Sequence, residues 1–230
     1  MSVISGNKKI NKFFLGNKVV NKIFSGSKQV YPDESGVLSG AYIEPTTQLL
    51  VDTGVKLGGS DVVKIRYKHI RTTESWDWNP LYGVGAYSDG KLTYRIIANS
   101  IESGNENLVQ YGNWGSITYS ETVGVPSVNK VIYNEFNPVE GKWTIKIDTD
   151  TFEFPITLKQ FNPSNLNAYV FGCNDYGVGN EYSQPFRLYE FEIVGKCHLV
   201  PMLKDNVTPA LYDTIRGVWH TNNAFTYGVD

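Results

Sequence analysis

Cysteine, methionine and histidine are scarce in this chain, which limits the sites it can build. The two cysteines, Cys173 and Cys197, sit in the apolar runs YVFGCN and GKCHLV, with no CxxC spacing. A chain of 230 residues can bury a core without disulfide or metal staples, so we expect two buried free thiols. His69, His198 and His220 are far apart in sequence and form no HxH or HExxH pattern. No metal site is therefore predicted.

Long apolar runs and helical patterns are missing as well. No stretch approaches the roughly 18 apolar residues needed to cross a bilayer. The opening MSVISGNKKI has no apolar signal-peptide core. We therefore expect a soluble protein, made and folded in a cytosol, with no membrane partner.

Acidic residues are absent from residues 1–32, which contain six lysines, whereas the rest of the chain has 15 basic and 23 acidic residues. A basic arm on an acidic body could dock on an acidic partner or on nucleic acid. The lysines could equally form the solvated face of short strands. Because arginine clusters and basic–aromatic interleaving are lacking, no nucleic-acid partner is expected.

A ten-residue repeat occupies the same segment: GNKKINKFFL, GNKVVNKIFS and GSKQVYPDES begin at residues 6, 16 and 26. Gly and Asn tolerate positive φ, which predicts turns between strands of about six or seven residues. Three such strands cannot bury a core alone. We therefore expect residues 1–35 to form a β-repeat segment and linker that docks on a partner or on copies of itself. The candidate attachment residues are Lys8, Lys12, Phe13, Phe14, Lys18, Lys22 and Phe24.

From about Tyr42 onward, short alternating runs separated by turn residues predict antiparallel strands with one buried face. We expect residues 36–230 to form one all-β sandwich. The predicted inward-facing sets are Val63, Ile65 and Tyr67; Trp143, Ile145 and Ile147; and Tyr189, Phe191 and Ile193.

The segment from Phe186 to Tyr227, FRLYEFEIVGKCHLVPMLKDNVTPALYDTIRGVWHTNNAFTY, carries the most specific pattern. It resembles the closing segment of concanavalin A-like (laminin-G-like) domains in phage tail, baseplate and fibre proteins. The matching positions are Arg187, Tyr189, Phe191, Leu199, Val200, Pro201, Leu211, Tyr212, Asp213, Gly217, Trp219, Thr221 and Asn222. Two departures are Pro209-Ala210, where a glycine is usual, and a shortened turn at Asn223-Ala224. We expect Tyr212-Asp213 to close a turn through side-chain hydrogen bonds.

The resemblance implies an antiparallel jelly-roll sandwich behind decapeptide repeats of the kind found in phage structural proteins. It implies a virion protein of the tail tip, baseplate, or head fibre or decoration, made in the host cytoplasm. Other virion proteins would bind residues 1–35, and such fibres are expected to be homo-oligomers, usually trimers.

Loops rich in Trp, Tyr, Asp and Asn are the predicted contacts with host-surface polysaccharide, because aromatic rings stack on sugars while amides and carboxylates bind hydroxyls. The candidate residues are Trp76, Asp77, Trp78, Asn79, Trp114, Asn174, Asp175, Tyr176 and Tyr182. Alternatively, one Trp caps the sandwich edge and the others stabilise loops or subunit contacts. These loops could also hold Ca²⁺, but they lack a calcium-loop spacing, so no cofactor is predicted.

Two rival functions stay open: a purely structural virion or assembly protein without a ligand, and a glycan hydrolase. Asp148, Asp150 and Glu153 have the spacing of a carboxylate strand used by some sandwich-fold glycosidases. They fall in IKIDTDTFEF, which predicts strand, polar turn, strand. This pattern favours a hairpin turn over a catalytic pair, and we expect no enzyme activity.

Overall fold

The computed structural model describes residues 13–15, 18–20, 23–25, 28–31, 40–58, 60–70, 80–85, 95–100, 107–113, 116–123, 129–156, 166–175, 181–182 and 186–230. Side chains are described within 40–58, 60–70, 81–84, 129–156, 166–174 and 186–230. These residues form strands and turns, with no helix among them. Accordingly, no helix long and apolar enough to cross a membrane occurs in these ranges.

The strands are β1 (Phe13–Leu15), β2 (Lys18–Val20), β3 (Ile23–Ser25), β4 (Lys28–Tyr31), β5 (Ala41–Pro45), β6 (Val51–Lys56), β7 (Val63–His69), β8 (Pro80–Gly85), β9 (Arg95–Ser100), β10 (Asn107–Asn113), β11 (Ser116–Val123), β12 (Val131–Asn137), β13 (Lys142–Ile147), β14 (Asp150–Pro155), β15 (Asn167–Val170), β16 (Gly172–Asp175), β17 (Glu181–Tyr182), β18 (Phe186–Ile193), β19 (Cys197–Lys204), β20 (Thr208–Asp213), β21 (Val218–Thr221) and β22 (Phe225–Val229).

The larger sheet, called the back sheet below, has ten strands in the order β14-β13-β12-β7-β18-β19-β20-β21, with β5 beside β18 and β22 beside β5. All its pairings are antiparallel. The alternation predicted for β7 and β13 is confirmed, since the inward-facing side chains of both strands are at most 1% exposed.

The prediction for β18 is wrong at Tyr189. The register with β7 shifts between Leu188 and Glu190, so one extra residue sits opposite the partner strand, as in a β-bulge. Phe191 and Ile193 face the core as predicted, but Tyr189 faces outward, where its hydroxyl donates to Asp230 at 2.5 Å. A bulge breaks the two-residue period on which the prediction rested.

The front sheet has eight strands in the order β11-β10-β9-β8-β15-β6, with β16 pairing both β8 and β17. The β16–β8 pairing is parallel, while the other pairings of this sheet are antiparallel.

Aromatic and branched side chains from both sheets form one core. Tyr82 of the front sheet lies edge-on to Phe191 of the back sheet, with ring centroids 5.3 Å apart. Phe171 packs on Phe186 at 4.7 Å. Burial of these rings between two sheets is what defines a sandwich.

The predicted turn closed by side-chain hydrogen bonds is confirmed for Asp213. Its carboxylate accepts hydrogen bonds from the backbone N–H groups of His198 at 3.2 Å, Ile215 at 3.0 Å and Arg216 at 3.2 Å. Tyr212 instead packs on Trp219, with ring centroids 4.5 Å apart.

The last strand, β22, pairs with β5 rather than with β21. Cys173 and Cys197 are buried thiols that are not disulfide-bonded, as predicted.

The decapeptide repeat forms two short hairpins. β1 pairs with β2, and β3 pairs with β4, each as a separate two-stranded sheet. Residues 16–17 separate β1 from β2, and residues 26–27 separate β3 from β4. These residues, like residues 21–22, lie outside the described part of the chain, so the turns at the repeat glycines and the strand length of six or seven residues stay predictions.

Candidate functional site

The outer face of the back sheet contains a lattice of polar side chains on β12, β13 and β14. The register sets Thr144 directly opposite Glu135 on one side and Glu153 on the other. Lys142 and Lys146 lie two residues before and after Thr144, so all three share the outward face.

A groove of about 250 Å³ lies over this lattice. It forms because the short side chain of Thr144 stands among longer ones, which leaves a depression at the centre. Its lining residues are Glu135, Asn137, Glu140, Lys142, Thr144, Lys146, Thr151 and Glu153.

Thr144 is the floor of the groove. It is only 9% exposed, and its hydroxyl has no hydrogen-bond partner among the described residues. Thr144 lines the open groove, so its hydroxyl is available to water or to a ligand.

The side chains around Thr144 are fixed by local contacts. Glu135 accepts a hydrogen bond from the Tyr133 hydroxyl at 2.6 Å. The Lys146 ammonium lies 5.4 Å from the centroid of the Tyr133 ring, within cation–π range. Burial raises the pKa of Tyr133, and the hydrogen bond to Glu135 raises it further. Tyr133 therefore stays a neutral donor.

The end of the groove is shaped by the β12–β13 turn. Asn137 is 8% exposed and accepts from the backbone N–H of Glu140 at 3.0 Å. Lys142 pairs with Glu153 at 2.5 Å. Glu140 has no side-chain partner among the described residues. The groove thus combines carboxylate acceptors, ammonium donors and hydroxyls in a small area, which suits a hydroxyl-rich ligand.

Most of the predicted glycan residues lie outside the described residues: Trp76, Asp77, Trp78, Asn79, Trp114 and Tyr176. Only the backbones of Asp175 and Tyr182 are described. Asp175 pairs with Gly85, and Tyr182 pairs with Gly172. For all of these residues a role in glycan binding stays a prediction.

Asn174 has a described side chain. It is 3% exposed, and its amide donates to the carbonyl oxygen of Asn167 at 2.8 Å. This contact links β16 to the start of β15. The structure places Asn174 in a packing position, away from the groove, and its role in ligand binding stays a prediction.

The ends of β8, β10 and β16 lie on one side of the front sheet. Asp175, the last residue of β16, pairs with Gly85 at the end of β8. β10 ends at Asn113, beyond Tyr111, which pairs with Ile96 near the start of β9, and the start of β9 pairs with the later part of β8. The start of β8 at Pro80 lies on the opposite side.

The predicted attachment residues lie in or beside the hairpins. Phe13 and Phe14 belong to β1, Lys18 to β2 and Phe24 to β3. Lys8, Lys12 and Lys22 fall outside the described residues.

The predicted strand–turn–strand arrangement is confirmed, but of the two aspartates expected in the turn only Asp148 lies there, since Asp150 is the first residue of β14. Asp148 is an exposed turn residue with φ of 54° and pairs with Lys130 at 2.6 Å. Asp150 pairs with Ile147 across the hairpin, and Glu153 pairs with Lys142 on the outer face. Asp150 and Glu153 are three residues apart on one strand, so they point to opposite faces.

The histidines are separate packed or surface residues. His69 is 4% exposed, and burial lowers its pKa to about 4. His198 lies 2.9 Å from Glu190, which raises the pKa of His198. No group of three His, Cys, Asp or Glu side chains that could hold a metal lies in the part of the chain that the structure describes.

The groove was missed by sequence reasoning because each of its residues looks like a solvated strand position by itself. The sequence pattern that could have indicated the groove is Lys142-x-Thr144-x-Lys146, in which a small polar residue stands between two long ones on an outward face. The opposing glutamates come from other strands, and only the register identifies them.

No protein-family model and no curated protein matches the sequence. Among solved structures, the chain is similar to the SAP-like pentraxin of Limulus polyphemus, with a TM-score of 0.50, 8% identity, and 83% of this chain and 95% of that chain covered. A homodimeric agglutinin from chicken liver, CG-16, matches with a TM-score of 0.37, 13% identity, and 64% and 98% covered. A proposed carbohydrate-binding protein from Bacteroides ovatus matches with a TM-score of 0.48 and 11% identity, and the match covers 84% of this chain and 60% of that chain. The chain is an all-β jelly-roll sandwich, a fold that it shares with this pentraxin.

Proposed function

We propose that the chain is a bacteriophage virion protein that displays its lectin-like sandwich for contact with host-surface glycans. The groove over Thr144 carries the glycan part of this proposal. It offers the Thr144 hydroxyl, carboxylates and ammonium groups on an open sheet face, and a saccharide presents vicinal hydroxyls that both donate and accept.

The groove is shallow and polar, its lining contains no aromatic residue among those described, and the Tyr133 ring is covered by Lys146. A sugar would therefore bind mainly through hydrogen bonds, and a single site would be weak. Display of several copies on one particle compensates for weak sites through avidity. This requirement favours an oligomer, for which a trimer is our working expectation.

The hairpin repeat supports placement on a virion. Two-stranded hairpins are marginal in isolation, and β1–β2 and β3–β4 pair with no other strand among the described residues. A partner surface would supply the missing burial. Together with the resemblance of residues 186–227 to phage baseplate and fibre proteins, this supports attachment through residues 1–35.

Glycan contact is tested with Thr144→Tyr, which fills the groove without touching the core. We expect this full-length variant to lose most binding to host cells and to a glycan array, while Thr208→Tyr, at an exposed position of β20, keeps it. If both variants bind like the wild type, a Trp76→Ala/Trp78→Ala double variant locates the site in the predicted loop instead. Absence of wild-type binding to any glycan would favour the purely structural alternative.

Virion attachment is tested with Phe14→Asp combined with Phe24→Asp, two positions one repeat apart. We expect particles assembled with this variant to lack the protein on immunogold electron microscopy. Unchanged incorporation would contradict attachment through the repeat. Release of reducing sugars from host wall, abolished by Asp150→Ala, would overturn the non-enzymatic assignment.

A further inference from the structure

The charges of the groove are unbalanced at the end near the β12–β13 turn. Three glutamates and two lysines line the groove. The Lys146 ammonium makes a cation–π contact with the Tyr133 ring, and Lys142 forms an ion pair with Glu153 at 2.5 Å. In the described part of the chain, the Glu135 side chain accepts a hydrogen bond only from the Tyr133 hydroxyl, and the Glu140 side chain has no partner. Neither Glu135 nor Glu140 therefore has a close ion-pair partner in the described part of the chain.

The Lys142 ammonium lies within the field of all three carboxylates. Its pKa is raised, first by the hydrogen bond to Glu153 and also by the charges of Glu153, Glu140 and Glu135, against desolvation, which lowers it. One ammonium thus serves three carboxylates. A second cation placed beside Glu135 and Glu140 would complete the charge balance.

Thr144 supplies an independent constraint on the ligand. The residue is 9% exposed and lies on the groove floor, and its hydroxyl has no hydrogen-bond partner among the described residues. A metal ion would be a poor match, because a threonine hydroxyl flanked by two lysines is not a strong ligand set. A ligand that carries a hydroxyl next to an ammonium satisfies both features.

We propose that the groove, in the glycan-binding role proposed above, selects saccharides with a free ammonium group, namely amino sugars that are not N-acetylated. The ligand ammonium binds the carboxylates of Glu135 and Glu140, and a neighbouring ring hydroxyl binds Thr144. Hydrogen bonds between an ammonium and a carboxylate are about twice as strong as neutral ones. N-acetylation removes both the charge and two of the donors.

The experiment compares three tetrasaccharides that differ only at the second carbon of each ring: glucosamine, N-acetylglucosamine and glucose units joined β-1,4. Binding to the full-length wild type is measured by calorimetry at about pH 6, below the usual pKa of amines. We expect the amine-bearing tetramer to bind about tenfold more tightly than the other two, and the preference to shrink as salt rises.

The test variant is Glu135→Gln/Glu140→Gln, and its matched control is Asp148→Asn/Asp150→Asn. Both remove two negative charges, but the control residues lie at the β13–β14 turn, outside the groove lining. We expect the test variant to lose the preference for the amine while its affinity for the neutral tetramer stays the same. The control should keep the preference.

Equal wild-type affinity for all three tetramers would overturn the inference and leave the glycan-binding proposal standing. Loss of preference in both variants would show non-specific attraction to the acidic body, and it would also overturn the inference. The inference would also be wrong if the wild type bound none of the tetramers but still gave the glycan-array signal that Thr144→Tyr removes. If the wild type gave neither tetramer binding nor an array signal, glycan binding itself would be contradicted. If lysines of a second copy fill the groove, sedimentation will show salt-sensitive self-association that Glu135→Gln/Glu140→Gln abolishes, and the inference will be wrong.

Discussion

Carboxylates in the C-terminal region and carboxylates in the groove are held in very different ways. Asp213 is fully buried; besides its three backbone partners, it accepts from Arg216 Nε at 2.5 Å. Asp230 binds Lys68 at 3.0 Å, Arg187 at 2.6 Å and the Tyr189 hydroxyl at 2.5 Å. Glu140, by contrast, has no side-chain partner among the described residues.

The difference separates residues that close the fold from residues that are available to a ligand. Arg216 connects Asp213 to the carbonyl oxygen of Thr53 on the front sheet, so this carboxylate helps to join the two sheets. Asp213 and Arg187 also belong to the positions that resemble phage sandwich domains. The recognisable C-terminal pattern therefore encodes architecture, and binding chemistry has to be sought where side chains remain uncommitted.

The largest predicted effect follows from breaking the Asp213 network. Asp213→Ala leaves the Arg216 guanidinium and three backbone N–H groups without their acceptor, which should cost about 3–5 kcal/mol of unfolding free energy. Urea denaturation at neutral pH measures this loss. Asp150→Ala, at an exposed strand position, is the matched control and should change stability by no more than about 0.5 kcal/mol. A loss below about 1 kcal/mol for Asp213→Ala would place that residue with the uncommitted carboxylates.

Measuring the unfolding free energy at decreasing pH tests how the Asp213 carboxylate is held. The contribution of His69 to this pH dependence has to be separated first. Burial lowers the pKa of His69 to about 4, whereas the unfolded value is about 6.5. The unfolded chain therefore binds more protons in this range, and stability should fall by about 3 kcal/mol as the pH decreases from about 6.5 to 4. His69→Phe should flatten this part of the denaturation profile.

Two further groups show that the sign of the pH effect depends on the site. The pKa of Asp213 is lowered by hydrogen bonds from Arg216 and from backbone N–H groups, which outweigh desolvation. Its contribution is present above the unfolded Asp pKa and is lost as the pH falls through the folded value. The pKa of His198 is raised by Glu190, so its contribution is complete below about pH 6.5 and is lost as the pH rises. Burial also lowers the pKa of His220, so a smaller slope of the same sign should remain in His69→Phe. A slope between pH 4 and 6.5 that is unchanged by His69→Phe would contradict the assignment to His69.

The sequence predicted the sandwich well because the side-chain period of a strand is local information. Alternation in β7 and β13 identified the buried faces. The error at Tyr189 arose from a bulge, which depends on how β18 pairs with β7.

The groove could not be predicted in the same way, because its chemistry depends on the neighbours across the sheet. Thr144 is an ordinary outward-facing residue until the register places Glu135 and Glu153 beside it. The Trp-bearing loops drew attention because their composition is conspicuous within a few residues. A site built from three strands has no such local signature.

The smallest predicted effect tests whether the groove carboxylates are truly independent of the fold. Glu135→Gln and Glu140→Gln keep the side-chain shape and remove the charge. Because neither carboxylate has an ion-pair partner among the described residues, each change should alter the unfolding free energy by no more than about 0.5 kcal/mol. Loss of about 1 kcal/mol or more would show that the groove charges stabilise the sheet, as those of Asp213 do. Unchanged stability combined with altered saccharide preference would separate binding from folding at these two positions, because the same substitutions would then act only on the ligand.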